Sequence, residues 1–135
     1  MPSTMAKTHY LSDLLLNAVL RGINFSPPST VYVALFTTPT DKDGGGTEVS
    51  GGAYARPSVT FGAPGAGTNG RRVANSVEVA FPVATANWGT ITHVGIMDAS
   101  NGGNMLYQGA LEQSKPINMN DQLRFPVNDL IVEET

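Results

Sequence analysis

Cysteine is absent from the 135 residues, so the chain offers neither a disulfide framework nor a thiolate metal site. Charge is scarce: 14% of residues are Asp, Glu, Lys or Arg, against roughly 25% in an ordinary globular chain. The net charge of −3 at pH 7 supplies no basic surface, which excludes nucleic acid as a natural partner. No apolar run approaches the roughly 18 residues of a membrane span, so no membrane partner is expected. The opening MPSTMAKTHY is polar and lacks the apolar stretch of a signal peptide. No repeat of fixed period occurs, and one domain over 1–135 is expected. There is one tryptophan.

What is abundant is turn and strand material: 15 Gly and 9 Pro, with much Val, Thr and Ala. The longest β-prone stretch is Asn87 to Ala99, NWGTITHVGIMDA, apolar on both parities and therefore a buried central strand. Its Gly89 and Gly95 invite close approach by a neighbouring element. The turn-forming Asp98-Ala99-Ser100-Asn101-Gly102-Gly103-Asn104 follows, and Met105 to Leu111 returns as the second arm of a hairpin. Further strands are expected at Val31 to Thr37, Ala53 to Phe61 (broken by Pro57), Asn75 to Phe81, Gln122 to Phe125 and Leu130 to Val132. In Asn75 to Phe81 the alternation turns Val77, Val79 and Phe81 inward.

One helix precedes them, at about 10–21, with Thr8 or Ser12 as its cap and Arg21-Gly22 at its end. Leu11, Leu14, Leu15, Ala18 and Val19 form a core-facing stripe. Leu16 and Leu20 widen it beyond what one sheet face requires, which leaves room for docking on a neighbouring subunit. The sum is a mainly β protein, an antiparallel β-sandwich with one N-terminal amphipathic α-helix.

No catalytic constellation emerges. The loop DKDGGGTEVSGG superficially suggests calcium, but an EF-hand count from Asp41 puts Gly45 and Gly52 where oxygen ligands belong. It reads as a mobile, solvated loop. No Gly-Lys-Ser/Thr follows to make a phosphate cradle, and Ser50 lacks the preceding glycine of a nucleophile elbow. His93 reads as a hydrogen-bonded structural histidine, and His9 alone is too little to join it as a metal ligand. No catalytic, cofactor-binding or metal residues are assigned, and no cofactor is expected.

Taken together, YLSDLLLNAVLRG, VYVALFTTPT, GTEVSGGAYARPSVTF, WGTITHVGIMDA and LYQGAL resemble a family of small virion structural proteins of tailed bacteriophages, often labelled tail-fibre or uncharacterised structural proteins. The resemblance runs from Tyr10 to Val132. It implies a virion protein without enzymatic activity, assembled in the host cytoplasm, and brings no catalytic residues with it.

Within that class, a compact chain without shaft repeats suggests a head decoration or cement protein on the outer capsid surface. The alternative is a tail or tail-fibre-associated structural or adsorption protein. The expected partners are phage capsid or tail proteins and further copies of the chain, in a trimer or ring. The segment before Tyr10 and the glycine loops at 41–52 and 62–70 are expected to be adaptable contacts. Tyr54, Arg56, Arg71 and Arg72 are the candidate partner-binding residues, with Arg71-Arg72 at a loop tip. A carbohydrate-binding module is a further possibility; it requires exposed aromatic rings, and a buried Trp88 counts against it.

Overall fold

The computed structural model describes residues 3–134. The chain is mainly β, with ten strands and one helix among the described residues. The strands are β1 (Ser3–Lys7), β2 (Val31–Phe36), β3 (Ser58–Val59), β4 (Gly65–Ala66), β5 (Arg71–Ala74), β6 (Val79–Ala80), β7 (Gly89–Met97), β8 (Met105–Ile117), β9 (Arg124–Phe125) and β10 (Leu130–Glu134). The helix α1 (His9–Arg21) lies between β1 and β2.

The expected fold class holds: the chain is mainly β with one helix near its N-terminus. Eight strands make one curled sheet in the order β3-β2-β7-β8-β1-β10-β5-β4, and β6 pairs with β9 as a small separate ribbon. Pairing is antiparallel except at one seam, where β1 runs parallel to β10 while pairing antiparallel with β8. The sheet and ribbon enclose a common core that includes Met5, Val33, Leu35, Phe81, Ile91, Val94, Ile96 and Leu130.

The stretch from Asn87 to Ala99 supplies β7, held between β2 and β8. A bulge between Ile91 and His93 breaks its parity, so Ile91, Val94 and Ile96 all reach the main core. Across the sheet, Ala34, Phe36, Met97 and Met105 form a second, smaller cluster. Phe36 and Met105 fill the space over Gly95, where a Cβ would lie 3.1 and 3.3 Å from their side chains.

In the segment before Tyr10, expected as an adaptable arm, Ser3–Lys7 form a central strand. Ser3 and Met5 are buried, and β1 passes from partnership with β8 to partnership with β10 beside Gly109. A Cβ at Gly109 would run into the Thr4 carbonyl oxygen and lie 3.2 Å from the Met5 Cα. Glycine is required there because backbone meets backbone.

Asn75 also departs from expectation. Of the expected strand Asn75 to Phe81 only β6 forms, and Asn75 lies fully buried between β5 and β6. Its Nδ2 donates to the Val77 and Pro126 carbonyls at 2.9 Å each, and its Oδ1 accepts from the Leu130 N–H at 2.9 Å. The side chain does the work of a missing ladder, and Val77 turns out to be 59% exposed.

The two outer strands of the large sheet, β3 and β4, have two residues each and follow Pro57 and Gly62-Ala63-Pro64. Short, proline-flanked edges offer few free N–H and C=O groups for a strand from another chain.

Gly109→Val should destabilise the fold by about 1–3 kcal/mol through overpacking. Gly65→Ala, where a Cβ meets nothing within 4 Å, should stay within about 0.5 kcal/mol of the parent. Urea denaturation followed by tryptophan fluorescence measures both.

Candidate functional site

The helix is fixed to the sheet at its first residue. Thr8 is buried; its hydroxyl donates to the Met105 carbonyl at 2.7 Å and accepts from the Leu11 N–H at 3.4 Å. One side chain therefore caps α1 and ties it to the start of β8. At the other end Gly22 takes φ 67°, a left-handed turn that stops the helix.

Along α1 the apolar residues fall on two opposite sides. Leu11 is buried, and Leu14, Leu15 and Ala18 are half-buried on the side turned to the sheet. Leu16, Val19 and Leu20 repeat the i, i+3, i+4 spacing on the outward side, where they are 56%, 77% and 75% exposed. Val19, expected in the core stripe, is corrected to the outward one. Ile23 extends the patch past the helix end at 47% exposure. Single exposed apolar side chains are ordinary; here four of them adjoin in one stripe.

The glycine loop is solvent-exposed for most of its first half and carries its own hydrogen bonds. The Asp41 Oδ1 accepts from the Asp43 and Gly45 N–H groups at 3.0 and 2.8 Å, and Thr40 donates to the Gln108 side chain at 2.7 Å. The loop reaches α1, where the His9 N–H donates to the Lys42 carbonyl and the His9 ring pairs with Asp43 at 2.9 Å.

Tyr54 and Arg56 are brought together by Glu48, which sequence reasoning missed. The Arg56 Nε and Nη2 donate to the two Glu48 carboxylate oxygens at 2.8 and 2.7 Å. Its Nη1 donates to the Ala99 and Gly102 carbonyls at 2.8 Å each. The Tyr54 hydroxyl donates to Glu48 at 2.6 Å and accepts from the Leu35 N–H at 3.0 Å. The Arg56 side chain is only 7% exposed, so its donors serve the chain's own loops. Burial pushes the Glu48 carboxyl up, but the Arg56 and Tyr54 hydrogen bonds and the Arg56 charge outweigh it and hold its pKa below the ordinary value. Burial, then the Glu48 carboxylate, pushes the Tyr54 hydroxyl up.

Arg71 and Arg72 lie apart from this cluster. They sit on β5 rather than at a loop tip, opposite Glu134 and Glu133 of β10. Both are exposed.

Trp88 and His93 are structural in placement. Trp88 is 5% exposed, and its ring N–H donates to the Gly52 carbonyl at 2.9 Å. It meets Tyr54 edge-on at 5.4 Å. The His93 Nδ1 lies 2.8 Å from the Thr92 hydroxyl, and burial pushes its pKa down. Among the described residues, no three His, Asp or Glu side chains gather as a metal site.

The sequence profile of the podophage GP4 fiber I protein gp80 family matches residues 6–133. The chain belongs to this family. No curated protein matches the chain. As a phage fibre structural protein it is part of the virion, and its natural partners are other phage structural proteins. The family description supports the tail-fibre alternative and gives no support to the head decoration reading. In this fibre protein the buried Trp88 also counts against a carbohydrate-binding module, since its ring packs among Tyr54 and Phe81 and is closed to solvent.

Arg56→Ala should cost about 2–3 kcal/mol, below the ~3–5 kcal/mol of a fully buried pair because Glu48 keeps some solvent contact. The depressed Glu48 pKa makes its contribution present at neutral pH and lost as pH falls through its folded-state value. Glu48→Gln should therefore be less stable than the parent at pH 7 and lose less stability on acidification, measured by urea denaturation at pH 7 and below pH 4.

Proposed function

We propose that this chain is a non-enzymatic assembly subunit of the phage fibre and that the outward face of α1 is its docking surface. The observation that carries this reading is the row Leu16, Val19 and Leu20, open to solvent on a helix whose opposite side is already packed. Covering those three side chains contributes about 3–6 kcal/mol in gross terms. The entropy of association consumes much of that, so a single contact is weak and repetition around the fibre makes attachment firm. The closed sheet edges support the same view: β3 and β4 give a partner little backbone to pair with, which leaves a side-chain surface as the means of attachment.

The role is structural because the polar groups with the most distinctive environments, Glu48, Tyr54 and Arg56, spend their hydrogen bonds on the chain's own loops. Tyr54 and Arg56 serve partners indirectly on this reading, by holding the 48–56 and 98–104 loops in a fixed shape. Arg71 and Arg72 remain exposed on β5 as charged contacts for an acidic neighbour, and assembly takes place in the host cytoplasm.

Leu16→Asp/Leu20→Asp should leave stability within about 0.5 kcal/mol for each exposed position and remove the protein from virions. Complementation of a phage lacking the wild-type copy, with immunoblotting of purified particles and cryo-electron microscopy of the fibres, measures this. Normal incorporation of the double variant, or density confined to the capsid shell, would overturn the proposal.

A further inference from the structure

We infer that Asn101-Gly102, in the loop between β7 and β8, is a self-modification site: it deamidates spontaneously, with water as the only co-reactant. The chemistry needs an asparagine amide and a following backbone N–H that are both free, on a segment that can turn one toward the other. Asn101 and Gly102 are exposed. Among the described residues, neither the Asn101 side chain nor the Gly102 N–H has a hydrogen-bond partner. Gly102 and Gly103 take φ 60° and 75°, and the missing side chain leaves the Gly102 nitrogen unshielded. A Cβ built at Gly102 would meet nothing within 4 Å, so the space around the reacting atoms is open.

The Gly102 nitrogen attacks the Asn101 Cγ, the Cγ–Nδ2 bond breaks, and ammonia leaves carrying the displaced amide proton. The product is a cyclic imide, which water reopens. Cleavage of the new N–Cγ bond gives aspartate in an ordinary backbone. Cleavage at the original Asn101 carbonyl carbon gives isoaspartate, whose backbone runs through Cβ and Cγ. Both products add a negative charge, and the second also lengthens the main chain. Arg56 Nη1 grips the loop on either side of this linkage, at the Ala99 and Gly102 carbonyls, 2.8 Å from each. A longer backbone between those two carbonyls destroys their common spacing, so isoaspartate unfastens the 98–104 loop from Arg56.

A second Asn-Gly pair supplies the contrast. Asn69-Gly70 lies in the short connection from β4 to β5, where the Gly67 N–H donates to the Gly70 carbonyl at 2.8 Å. The Asn69 N–H donates to the Glu133 Oε1 at 3.2 Å. Turning the Asn69 Cγ toward the Gly70 nitrogen disturbs both bonds, and each slows such opening by a factor of roughly 2–10. The Asn101 N–H carries no such bond, and its longer loop is closed only at the base, by Asp98 and Asn104.

The whole 135-residue chain tests this. It is incubated at mildly alkaline pH, cut with a protease that cleaves before aspartate, and mapped by mass spectrometry. Aspartate appears as a new cut, and isoaspartate as the amide-to-acid mass gain without one. In the folded chain Asn101 should convert at least about fivefold faster than Asn69, and the two rates should converge in urea, where neither loop is held. Asn101→Gln should abolish the fast conversion and leave the Asn69 rate unchanged. Hydrogen exchange across 98–104 should rise in the isoaspartate form. A folded-chain rate at Asn101 no greater than at Asn69, a preference that persists in urea, or unaltered exchange after conversion would each overturn the inference.

Discussion

The whole sheet depends on β1 being held in its middle. One half, β3-β2-β7-β8, and the other, β10-β5-β4, are joined strand to strand through the residues from Ser3 to Lys7, with one isolated bridge, Phe61 to Asn75, on the far side. Ser3, Thr4 and Met5 pair with Leu130, Ile131 and Val132, while Ala6 and Lys7 pair with Gln108 and Tyr107. The switch from one partner to the other is possible because Gly109 lets the two backbones close on each other. Met5 then reaches the core, and Lys7 forms an ion pair with Glu134 across the seam. A strand that joins two half-sheets also determines what comes next in the chain. Thr8 follows immediately, and its bonds to β8 fix where α1 leaves the sheet.

From that starting point the helix has no choice of face. Leu11 goes inward because the cap orients it, and the i, i+3, i+4 repeat carries Leu14, Leu15 and Ala18 with it. The residues left over are apolar too, and the molecule has nothing further to lay on them. The sheet edges, by contrast, are finished: two-residue strands and prolines limit backbone pairing, and ordered loops cover the second cluster. Association by an apolar helix face suits a fibre component, where the same contact recurs at every symmetric position and individual affinity need not be high.

Much of the fold was legible in the sequence where patterns were long. The β7–β8 hairpin, the helix and its Gly22 stop, and the mainly β character rested on periodicity over many residues and on Gly/Asn turn chemistry. β1 was not legible, because Ser-Thr-Met-Ala-Lys alternates with only one large apolar residue, Met5. The role of Asn75 was missed for another reason: it opens the run on the inward parity, and the Pro126 and Leu130 backbone groups that satisfy its side chain are distant in sequence. Glu48 joins Tyr54 and Arg56 only because the chain turns back at Gly51-Gly52, and nothing in the spacing requires a carboxylate there. The docking face was partly visible, since Leu16 and Leu20 exceeded the width one sheet contact needs. The placement of Val19 was decided by the cap rather than by the pattern.

The outward face of α1 as the buried contact of the assembled fibre is tested most directly by side-chain footprinting. Hydroxyl-radical oxidation of the free chain and of intact virions, read by mass spectrometry, compares the same residues in both states. Leu16, Val19 and Leu20 should be labelled in the free chain and protected in the virion. Equal labelling of those residues in both states, with protection moved to the sheet edges or the loops, would contradict the account.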